Sequence, residues 1–462
     1  MGQVFAVNRV RSAALRPLNY VPSVEQLRIA SDKKRVVRLG SIVKSLGGAY
    51  KKIFSNVDCS PSAGVEVLSQ TDMFASEPVG RFIRADSMAD PDLHRIKKWQ
   101  ILVAGAGTLG ETEIYGRSLI ADARLADKYI AYHALSLTFE QPGSDLNLYT
   151  YAFLLSDMGV SSLRSTSYGT KILSMRLDLL ADLPIPLPND VTLTRVASLI
   201  RQAVEGRERY LRDLHAARRA VEDTPEMRIA YDMCAERKAH VVAWSKELPT
   251  LCAWNYASTG EALRYLLNKW SARVGDVLNA DGLFYGLRAI RVPCQSPHGI
   301  SFLSQRDVFL MRPVPRRIVH PGFDERFLFA KPNSIVMAGR GTLGEGEIFG
   351  RCALVDENIS KLALTEDLLR IRAKEEHAEL LYLFLSTLVG FRFVRSTAVG
   401  TKILNLRNDL LCRLPFPEIC PDTRQTAESL LRSACASRLA ANRAEAEAVR
   451  IVEQEVLPAW LA

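Results

Sequence analysis

The sequence lacks the patterns that identify most metal-dependent and nucleophilic enzymes. Its eight cysteines, at positions 59, 234, 252, 294, 352, 412, 420 and 435, form no C-x-x-C pair, and its seven histidines form no H-x-H or H-E-x-x-H pair. It contains no G-x-S-x-G elbow and no Asn/Asp-Pro-Pro-Tyr box of an amino-methyltransferase. We therefore expect reduced cysteines that pack in the interior, no metal site, no cofactor and no catalytic activity.

Long apolar runs are also missing. The most apolar stretch, residues 380–393, is interrupted by polar residues and is shorter than the roughly 20 residues that a membrane-spanning helix needs. The N-terminus has no long apolar segment for export, so a cytoplasmic protein is expected. The 60 Lys and Arg exceed the 51 Asp and Glu, which favours an anionic partner, either nucleic acid or a membrane surface.

An internal duplication dominates the sequence. Residues 105–117 return as residues 339–351 with 10 identities in 13 positions, and residues 165–186 return as 396–417 with 14 identities in 22. Residues 68–74 and 303–309 also correspond. Repeated units of this length, about 38–222 and 273–456, are far longer than the roughly 20–50 residues of a solenoid repeat, so they predict a duplicated domain pair.

The two copies share one pattern of predicted elements. Residues 100–104 and 334–338 favour strands, and residues 148–158 and 379–389 favour a helix. The Pro-rich segments 184–190 and 415–422 then precede a long helix.

The first long helix has the four-and-three spacing of a coiled-coil seam, interrupted by Arg207 and Arg218. Its apolar positions include Leu193, Ala197, Ile200, Val204, Leu211, Leu214 and Val221. The second long helix repeats the spacing with small residues such as Ala441 and Ala448. We expect the two helices to pack on each other antiparallel, with pseudo-twofold symmetry. The alternative is two independent helices, each lying on its own domain.

The segment from Gly105 to Gly110 matches the G-x-G-x-x-G of dinucleotide-binding turns. Such a turn must open a helix, yet the second copy has two more glycines within the next six residues, which favours a hairpin. Glu111 and Glu345 occupy the position that a P-loop gives to lysine. We interpret both segments as structural turns. A two-domain nucleotide-binding enzyme that uses these turns is the alternative.

Basic residues cluster at comparable places in the two copies. One group in each copy lies near its middle: Arg81, Arg84, Arg95, Lys97 and Lys98, and Arg312, Arg316, Arg317, Arg326 and Lys331. A second group adjoins Ser-Thr and Gly-Thr pairs that could donate to phosphate: Arg164, Lys171, Arg395 and Lys402. These residues are the predicted DNA-binding residues, and an ordinary solvated surface is the alternative.

The order of these features, repeated twice, resembles the specificity subunits of type I restriction-modification systems, the HsdS family. The likeness is carried by Gly107-Thr108-Leu109-Gly110 with Gly341-Thr342-Leu343-Gly344, by the predicted helices at 151–159 and 382–390, and by Leu183-Pro-Ile-Pro186 with Leu414-Pro-Phe-Pro417. The resemblance implies an α+β fold with two target recognition domains, each reading one half of a split double-stranded DNA site, separated by long helices.

The resemblance also implies partners. A DNA methyltransferase, in two copies, would hold the helices through residues such as Leu211, Leu214, Ala441 and Ala448, and a translocating restriction nuclease could join them. About 37 residues precede the first unit and residues 223–272 exceed a plain spacer, so a specificity-like subunit of another methylation-linked phage-defence system fits equally well.

The predicted organisation has six parts. They are an N-terminal extension (1–37), target recognition domain 1 (38–189), spacer helix 1 (190–222), a helical connector (223–272), target recognition domain 2 (273–421) and spacer helix 2 (422–457). A helix of about 30 residues is about 45 Å long. Laid between two DNA-binding domains, it would separate their centres by roughly one turn of duplex or slightly more. The resemblance implies a bipartite, non-palindromic target with an unread gap of about 5–8 base pairs. A duplicated scaffold that binds only protein is a second alternative.

Overall fold

The computed structural model describes residues 16–33, 37–48, 57–88, 91–110, 113–131, 133–235, 252, 255, 259–295, 297–344 and 346–462. The glutamates Glu111 and Glu345 and the connector tryptophans Trp244 and Trp254 lie outside these residues. The chain divides into two compact units: unit 1 comprises residues 1–209 and 437–462, and unit 2 comprises residues 210–436.

Unit 1 is a mixed α/β unit built around a four-stranded antiparallel sheet. Its strands are β1 (Val37–Arg38), β2 (Val43–Gly48), β3 (Val65–Leu68), β4 (Arg81–Ile83), β5 (Ile101–Ala104), β6 (Ala106–Gly107), β7 (Ser118–Ile120), β8 (Tyr129–Ile130), β9 (Ala134–Phe139), β10 (Ser167–Tyr168), β11 (Leu173–Met175) and β12 (Pro184–Ile185). Its first helices are α1 (Pro22–Lys33), α2 (Leu39–Ile42), α3 (Pro91–His94), α4 (Asp145–Leu155), α5 (Asp157–Arg164) and α6 (Leu177–Ala181). The sheets have the orders β2-β9-β5-β7, β4-β3-β8, β10-β11-β6 and β1-β12.

A long helix, α7 (Asp190–Glu222), follows unit 1's strands and contributes residues to both units. The Asn189 Oδ1 accepts a hydrogen bond from the Thr192 backbone N–H at 2.9 Å, which satisfies one of the free donors of the first turn. The start of α7 agrees with the sequence prediction of a helix after the Pro-rich segment.

Unit 2 repeats three of these sheets with the same strand order, and an isolated bridge between Arg273 and Pro415 replaces the β1-β12 pair. Its strands are β13 (Leu278–Tyr285), β14 (Ile300–Leu303), β15 (Arg316–Ile318), β16 (Ile335–Ala338), β17 (Arg340–Gly341), β18 (Cys352–Leu354), β19 (Ala363–Leu364), β20 (Leu368–Ala373), β21 (Ala398–Gly400) and β22 (Leu404–Leu406). Its helices are α8 (Pro225–Ala235), α9 (Thr259–Lys269), α10 (Glu325–Leu328), α11 (Glu375–Ser386), α12 (Leu388–Arg395) and α13 (Asn408–Cys412). The orders are β13-β20-β16-β18, β15-β14-β19 and β17-β22-β21. The duplication read from the sequence is therefore a duplication of topology.

The second long helix, α14 (Pro421–Ile451), continues through a π-helical turn, Val452–Val456, into α15 (Leu457–Leu461). Within unit 1, α14 runs antiparallel to α7: Gly206 faces Ala441, and Arg195 pairs with Glu455 at 3.2 Å. Within unit 2, Ser433 Oγ donates to Asp213 Oδ2 at 2.8 Å. The two helices thus pack on each other, as expected from their seams, and are not independent.

Each unit has its core between the four-stranded sheet and the helices. In unit 1, Ile101, Val103 and Leu137 of the sheet pack with Val196 and Ile200 of α7. In unit 2, Ile335, Met337 and Ile371 pack with the cluster that contains Leu214 and Leu431. Strands β5 and β16 are buried on both faces, which explains why their Ile- and Val-rich sequences predicted them correctly.

The single helix predicted at 148–158, and its counterpart at 379–389, is in each case a pair of helices. Ser156 separates α4 from α5 and Thr387 separates α11 from α12, because each side-chain oxygen accepts a hydrogen bond from a glycine N–H, that of Gly159 or Gly390. This is an N-cap inside an apolar run. A side chain at either glycine would collide with the carbonyl oxygen of Phe153 or Phe384, so the break requires glycine.

Helices α1 and α9 are a further repeated element. Asn19 donates through Nδ2 to the carbonyl oxygens of Ser165 (2.6 Å) and Ser167 (3.1 Å). Asn255 donates in the same way to the carbonyls of Ser396 and Ala398. The residues before position 38 therefore have an equivalent just before position 273, and the repeat begins earlier than the sequence motifs indicated.

Among the described residues, no single helix has both the length and the apolar composition to cross a membrane. Helices α11 and α12 reach that length and apolar composition only when they are taken together, and the pair is bent by 85°. None of the eight cysteines forms a disulfide with a described residue. No group of three or more metal-ligating side chains occurs in the described part of the chain.

Candidate nucleic-acid interface

The glycine turn of each unit joins two antiparallel strands. In unit 1 the chain leaves β5, pairs briefly as β6 and returns in β7, and the return is fixed by hydrogen bonds between Ala104 and both Gly116 and Arg117. Unit 2 closes its turn in the same way between β16 and β18. None of the described residues of either turn is helical. The described part of each turn thus follows the hairpin pattern, and it forms no helix N-terminus of the kind that a dinucleotide site needs.

An arginine holds each glycine turn in place, half-buried in unit 1 and buried in unit 2. Arg164 donates to the carbonyl oxygens of Tyr115 (2.9 Å), Gly110 (3.0 Å) and Glu113 (3.2 Å), and burial lowers the pKa of its guanidinium. Arg395 donates in the same manner to the carbonyls of Phe349 (2.9 Å), Gly344 (2.8 Å) and Glu347 (3.0 Å). These two predicted DNA-binding residues therefore donate hydrogen bonds to backbone carbonyl oxygens.

A glutamine clamps the strand before each turn. Gln70 donates through Nε2 to the Ala106 carbonyl oxygen at 2.5 Å, and Gln305 donates to that of Arg340 at 2.8 Å. Both glutamines come from the repeated Leu-Ser-Gln segments of the sequence. The motif is thus explained by backbone support of the turn.

Beside each turn lies an exposed hairpin tip. Leu173 pairs with Gly107, and Leu404 pairs with Gly341, so each hairpin tip lies at the same sheet end as the glycine turn. The tips carry Lys171 and Lys402, both of which are exposed. The residues that follow them, Ile172 and Ile403, are exposed by 65% and 62%. The tips are therefore available for contact in both units.

Most of the basic residues in the first group of unit 1 form ion pairs with carboxylates. Arg81 donates two nitrogens to Asp58 at 2.7–3.2 Å, Arg84 pairs with Asp86, and Arg95 pairs with Asp127 at 2.6 Å. The hydrogen bond from Arg84 lowers the pKa of Asp86, and the Asp127 hydrogen bond raises the pKa of Arg95. Lys98 pairs with Glu208 at 2.8 Å, whereas the exposed Lys97 has no ion pair with a described residue.

The basic residues of unit 2 have other partners. Arg317 donates to the carbonyl oxygens of Pro297 (2.8 Å) and Gly299 (2.7 Å), and Arg316 lies 5.9 Å from the centre of the Phe302 ring. Arg312 and Lys331 are exposed. The predicted basic residues of unit 2 therefore contact backbone carbonyls and an aromatic ring, whereas those of unit 1 mostly contact carboxylates.

The helix residues assigned to partner binding lie inside the units. Leu214 and Ala448 are fully buried, and Leu211 and Ala441 are nearly so. Their side chains pack within their own units, so a partner would meet the outward faces of the helices.

A buried ion pair replaces apolar packing at one level of the seam. Arg207 donates two hydrogen bonds to Glu445, at 2.7 and 2.8 Å, and the Tyr151 hydroxyl donates a third at 2.8 Å. Burial alone would lower the pKa of Arg207, but the Glu445 carboxylate raises it above its ordinary value. Arg207 interrupts the apolar seam in the sequence because it has a specific buried partner.

Sequence reasoning missed the asparagines that dock α1 and α9. A signal was present, because Asn19-Tyr20 returns as Asn255-Tyr256 at nearly the same offset as the other motifs. It also missed Arg372, whose guanidinium lies 4.7 Å from the centre of the Phe284 ring. No sequence pattern marks that pair, because 88 residues separate its members.

No family model matches the chain, and no curated protein matches it significantly. Among solved structures it is similar to the S subunit of a type I restriction-modification system from M. genitalium, at 13% identity and a TM-score of 0.31, over 92% of this chain and 95% of that one. It is also similar to the HsdS subunit from Thermoanaerobacter tengcongensis, at 15% identity and a TM-score of 0.26, over 92% and 96%. A third neighbour comes from a structural study of type I R-M system assembly, with 14% identity, a TM-score of 0.27 and coverage of 92% and 97%. Likenesses this low do not establish the family of the chain.

Proposed function

We propose that the chain is a non-catalytic DNA-specificity subunit, which reads a bipartite target in double-stranded DNA and directs a methyltransferase to it in the cytoplasm. The observation that carries the proposal is the duplication. Two units with the same sheet orders each hold a glycine turn and an exposed hairpin tip, and two antiparallel helices run on from them. Two similar but diverged readers suit a target with two different halves, separated by an unread gap of about 5–8 base pairs.

The partner in this proposal is a DNA methyltransferase, in two copies, with a translocating nuclease as a further component in anti-phage defence. The outward faces of α7 and α14 suit such a partner, because their inward faces are used in packing. Gln202, Glu205 and Arg209 are exposed on α7. Replacing all three with alanine should reduce co-purification of the methyltransferase while leaving the melting temperature of the chain nearly unchanged.

Methylome sequencing tests the proposed function. The chain is expressed with a candidate DNA methyltransferase partner, in cells that lack other methylation. We expect one methylated motif in two parts with a fixed gap. A single continuous short motif would contradict the two-reader proposal, and methylation unaffected by deletion of the chain would contradict its role as specificity subunit.

Exchanging the proposed target-reading segment of one unit tests the same proposal further. Residues 38–186 are replaced by the corresponding segment of a related chain with a different target. One half of the methylated motif should change and the other half should stay. A change in both halves would show that the units do not read independently.

A further inference from the structure

Unit 2 carries a surface on which arginines stack against aromatic rings. Arg372 lies 4.7 Å from the centre of the Phe284 ring, and Arg326 lies 4.5 Å from that of Phe327. The two rings meet edge to face, with centroids 6.2 Å apart and an angle of 87° between their planes. The result is a continuous row of arginine, phenylalanine, phenylalanine and arginine.

Other arginine–aromatic pairs of unit 2 lie outside this row. Phe302, which Arg291 and Arg316 approach to 5.1 and 5.9 Å, is only 4% exposed and packs in the core. Tyr285, 5.8 Å from Arg340, follows Phe284 in strand β13, so the two side chains point to opposite faces of the sheet. We call Arg326, Phe327, Phe284 and Arg372 the arginine–aromatic surface.

A carboxylate only partly balances this charge. Asp324 pairs with Arg326 at 3.6 Å. Arg372 has no ion pair with a described residue. The surface therefore has a net positive charge.

Stacking leaves arginine ready to bind an anion. A guanidinium on a ring uses its flat face, so its five N–H donors, which lie in the plane of the group, still point outward. Phosphate oxygens accept two such donors side by side. A guanidinium bound to a carboxylate, as in Arg81, has already used that edge.

Among the described residues, unit 1 has no counterpart of this surface. At the equivalent positions, Asp92 replaces Arg326 and Leu93 replaces Phe327. Thr138 replaces Arg372, and its hydroxyl accepts a hydrogen bond from Gln100 at 2.8 Å. The shared framework does not require these arginines, because unit 1 folds to the same topology without them.

We propose that the arginine–aromatic surface binds the phosphate backbone of duplex DNA, so that unit 2 supplies a larger share of the salt-dependent affinity than unit 1. This inference rests on the proposed function, because it names the part of the readers that holds the backbone. Phosphate contacts position a protein on DNA without reading sequence, so the test does not need the target.

The test measures binding of the full chain to a fluorescein-labelled 30-base-pair duplex of random sequence, by anisotropy between 50 and 200 mM KCl. The variant Arg326→Gln/Arg372→Gln removes two charges and keeps both rings. Since each lost phosphate contact reduces the slope of log K against log salt by about 0.9, the double variant should lose a slope of about 1.8 and bind about tenfold more weakly at 50 mM.

Arg81→Gln/Arg84→Gln in unit 1 is the matched control, and its slope should change by less than half as much. Arg326→Lys/Arg372→Lys keeps the charge and should retain most of the slope. Circular dichroism and thermal melting confirm that each variant is folded.

Three outcomes would overturn the inference. If the wild-type chain binds duplex but the glutamine variant keeps its slope and affinity, the inference fails and the proposed function stands. If polyglutamate displaces the duplex as well as unlabelled DNA does, the surface is a general polyanion site. If the wild-type chain shows no salt-dependent binding, both the inference and the proposed function are contradicted.

Discussion

Arg81 in unit 1 and Arg316 in unit 2 each begin an equivalent β-strand, yet their guanidinium groups meet different surroundings. Arg81 is bound by Asp58, whereas Arg316 lies over the Phe302 ring. The residue equivalent to Asp58 in unit 2 is Pro293, which cannot accept through a side chain. The comparison shows that the duplication preserved the strand while the exposed arginine changed its partner.

The side chains that clamp backbone carbonyls behave in the opposite way. Arg164 and Arg395 each bind three carbonyl oxygens of their glycine turn, and Asn19 and Asn255 each bind two carbonyls in the segment after α5 or α12. Side chains that satisfy buried backbone groups are costly to replace, since the carbonyls would be left without donors. The two units therefore agree at these clamps, whereas Arg81 and Arg316 have different partners.

The largest effect is expected at a buried position where the units differ. Glu445 corresponds to Leu214, so unit 1 has an ion pair in the seam where unit 2 has an apolar residue. Glu445→Leu alone should lower the free energy of unfolding by about 3–5 kcal/mol, because it leaves the buried Arg207 charge unpaired. Urea denaturation measures the loss.

The double variant Arg207→Met/Glu445→Leu is the control for that experiment. It should recover most of the stability, because removing both charges removes the desolvation penalty. Equal losses in the single and double variants would contradict this reading of the pair.

The second prediction compares the two arginines that bind the glycine turns, Arg164 and Arg395. Arg395→Ala should lower the free energy of unfolding by about 2–3 kcal/mol, because charge-assisted hydrogen bonds to backbone carbonyls are lost. Arg164→Ala should lower it less, because the Arg164 side chain is more exposed. Thermal melting measures the loss of stability in each variant. Hydrogen exchange should show faster exchange at Gly350 in the first variant and at Gly116 in the second; unchanged exchange at both would contradict the clamp.

The third prediction concerns the docking of α1 and α9. Asn19→Ala and Asn255→Ala should each lower stability by about 1–2 kcal/mol, since each leaves two carbonyls without their donor. Similar losses in chemical denaturation would support equivalent roles for the two segments. A loss in only one unit would show that the repeat does not extend to this element.

The smallest effect is expected at the exposed ion pair of unit 1. Arg81→Gln should change the free energy of unfolding by less than about 0.5 kcal/mol, because both side chains are about two-thirds exposed and their attraction is screened by water. Denaturant titration at low and high salt checks this value, and a loss above about 1 kcal/mol would place Arg81 among the supporting residues.

The sequence predicts the parts of the fold that depend on local pattern. The Ile- and Val-rich strands and the start of α7 are among them, because burial and a proline stop leave clear periodic signals. The break at Ser156 is missed, because a capping serine inside an apolar run resembles any other polar residue of a helix. Repetition in the second copy does not help, since Thr387 makes the same break with the same ambiguity.

Candidate site residues are harder to assign because charge alone does not reveal a side chain's partner. Arg164 and Lys171 are seven positions apart and both basic, yet one is bound to carbonyls about 50 residues earlier in the chain and the other lies at an exposed tip. Similarly, Arg372 meets Phe284 only because β13 and β20 are paired in the sheet. Such contacts follow from topology, which a single sequence does not give.

Arg370 constrains the buried face of strand β20 in unit 2. It is fully buried in unit 2, where unit 1 has Ser136, and it donates to the carbonyls of Leu328, Leu364 and Leu368 at 3.1–3.2 Å. Burial lowers the pKa of its guanidinium to about 10, so the group stays charged at neutral pH and the three carbonyls solvate it. A shorter or apolar side chain at position 370 would leave these buried carbonyls without their donor. Substitutions in this strand should therefore be tolerated at the solvent-facing positions and not at Arg370.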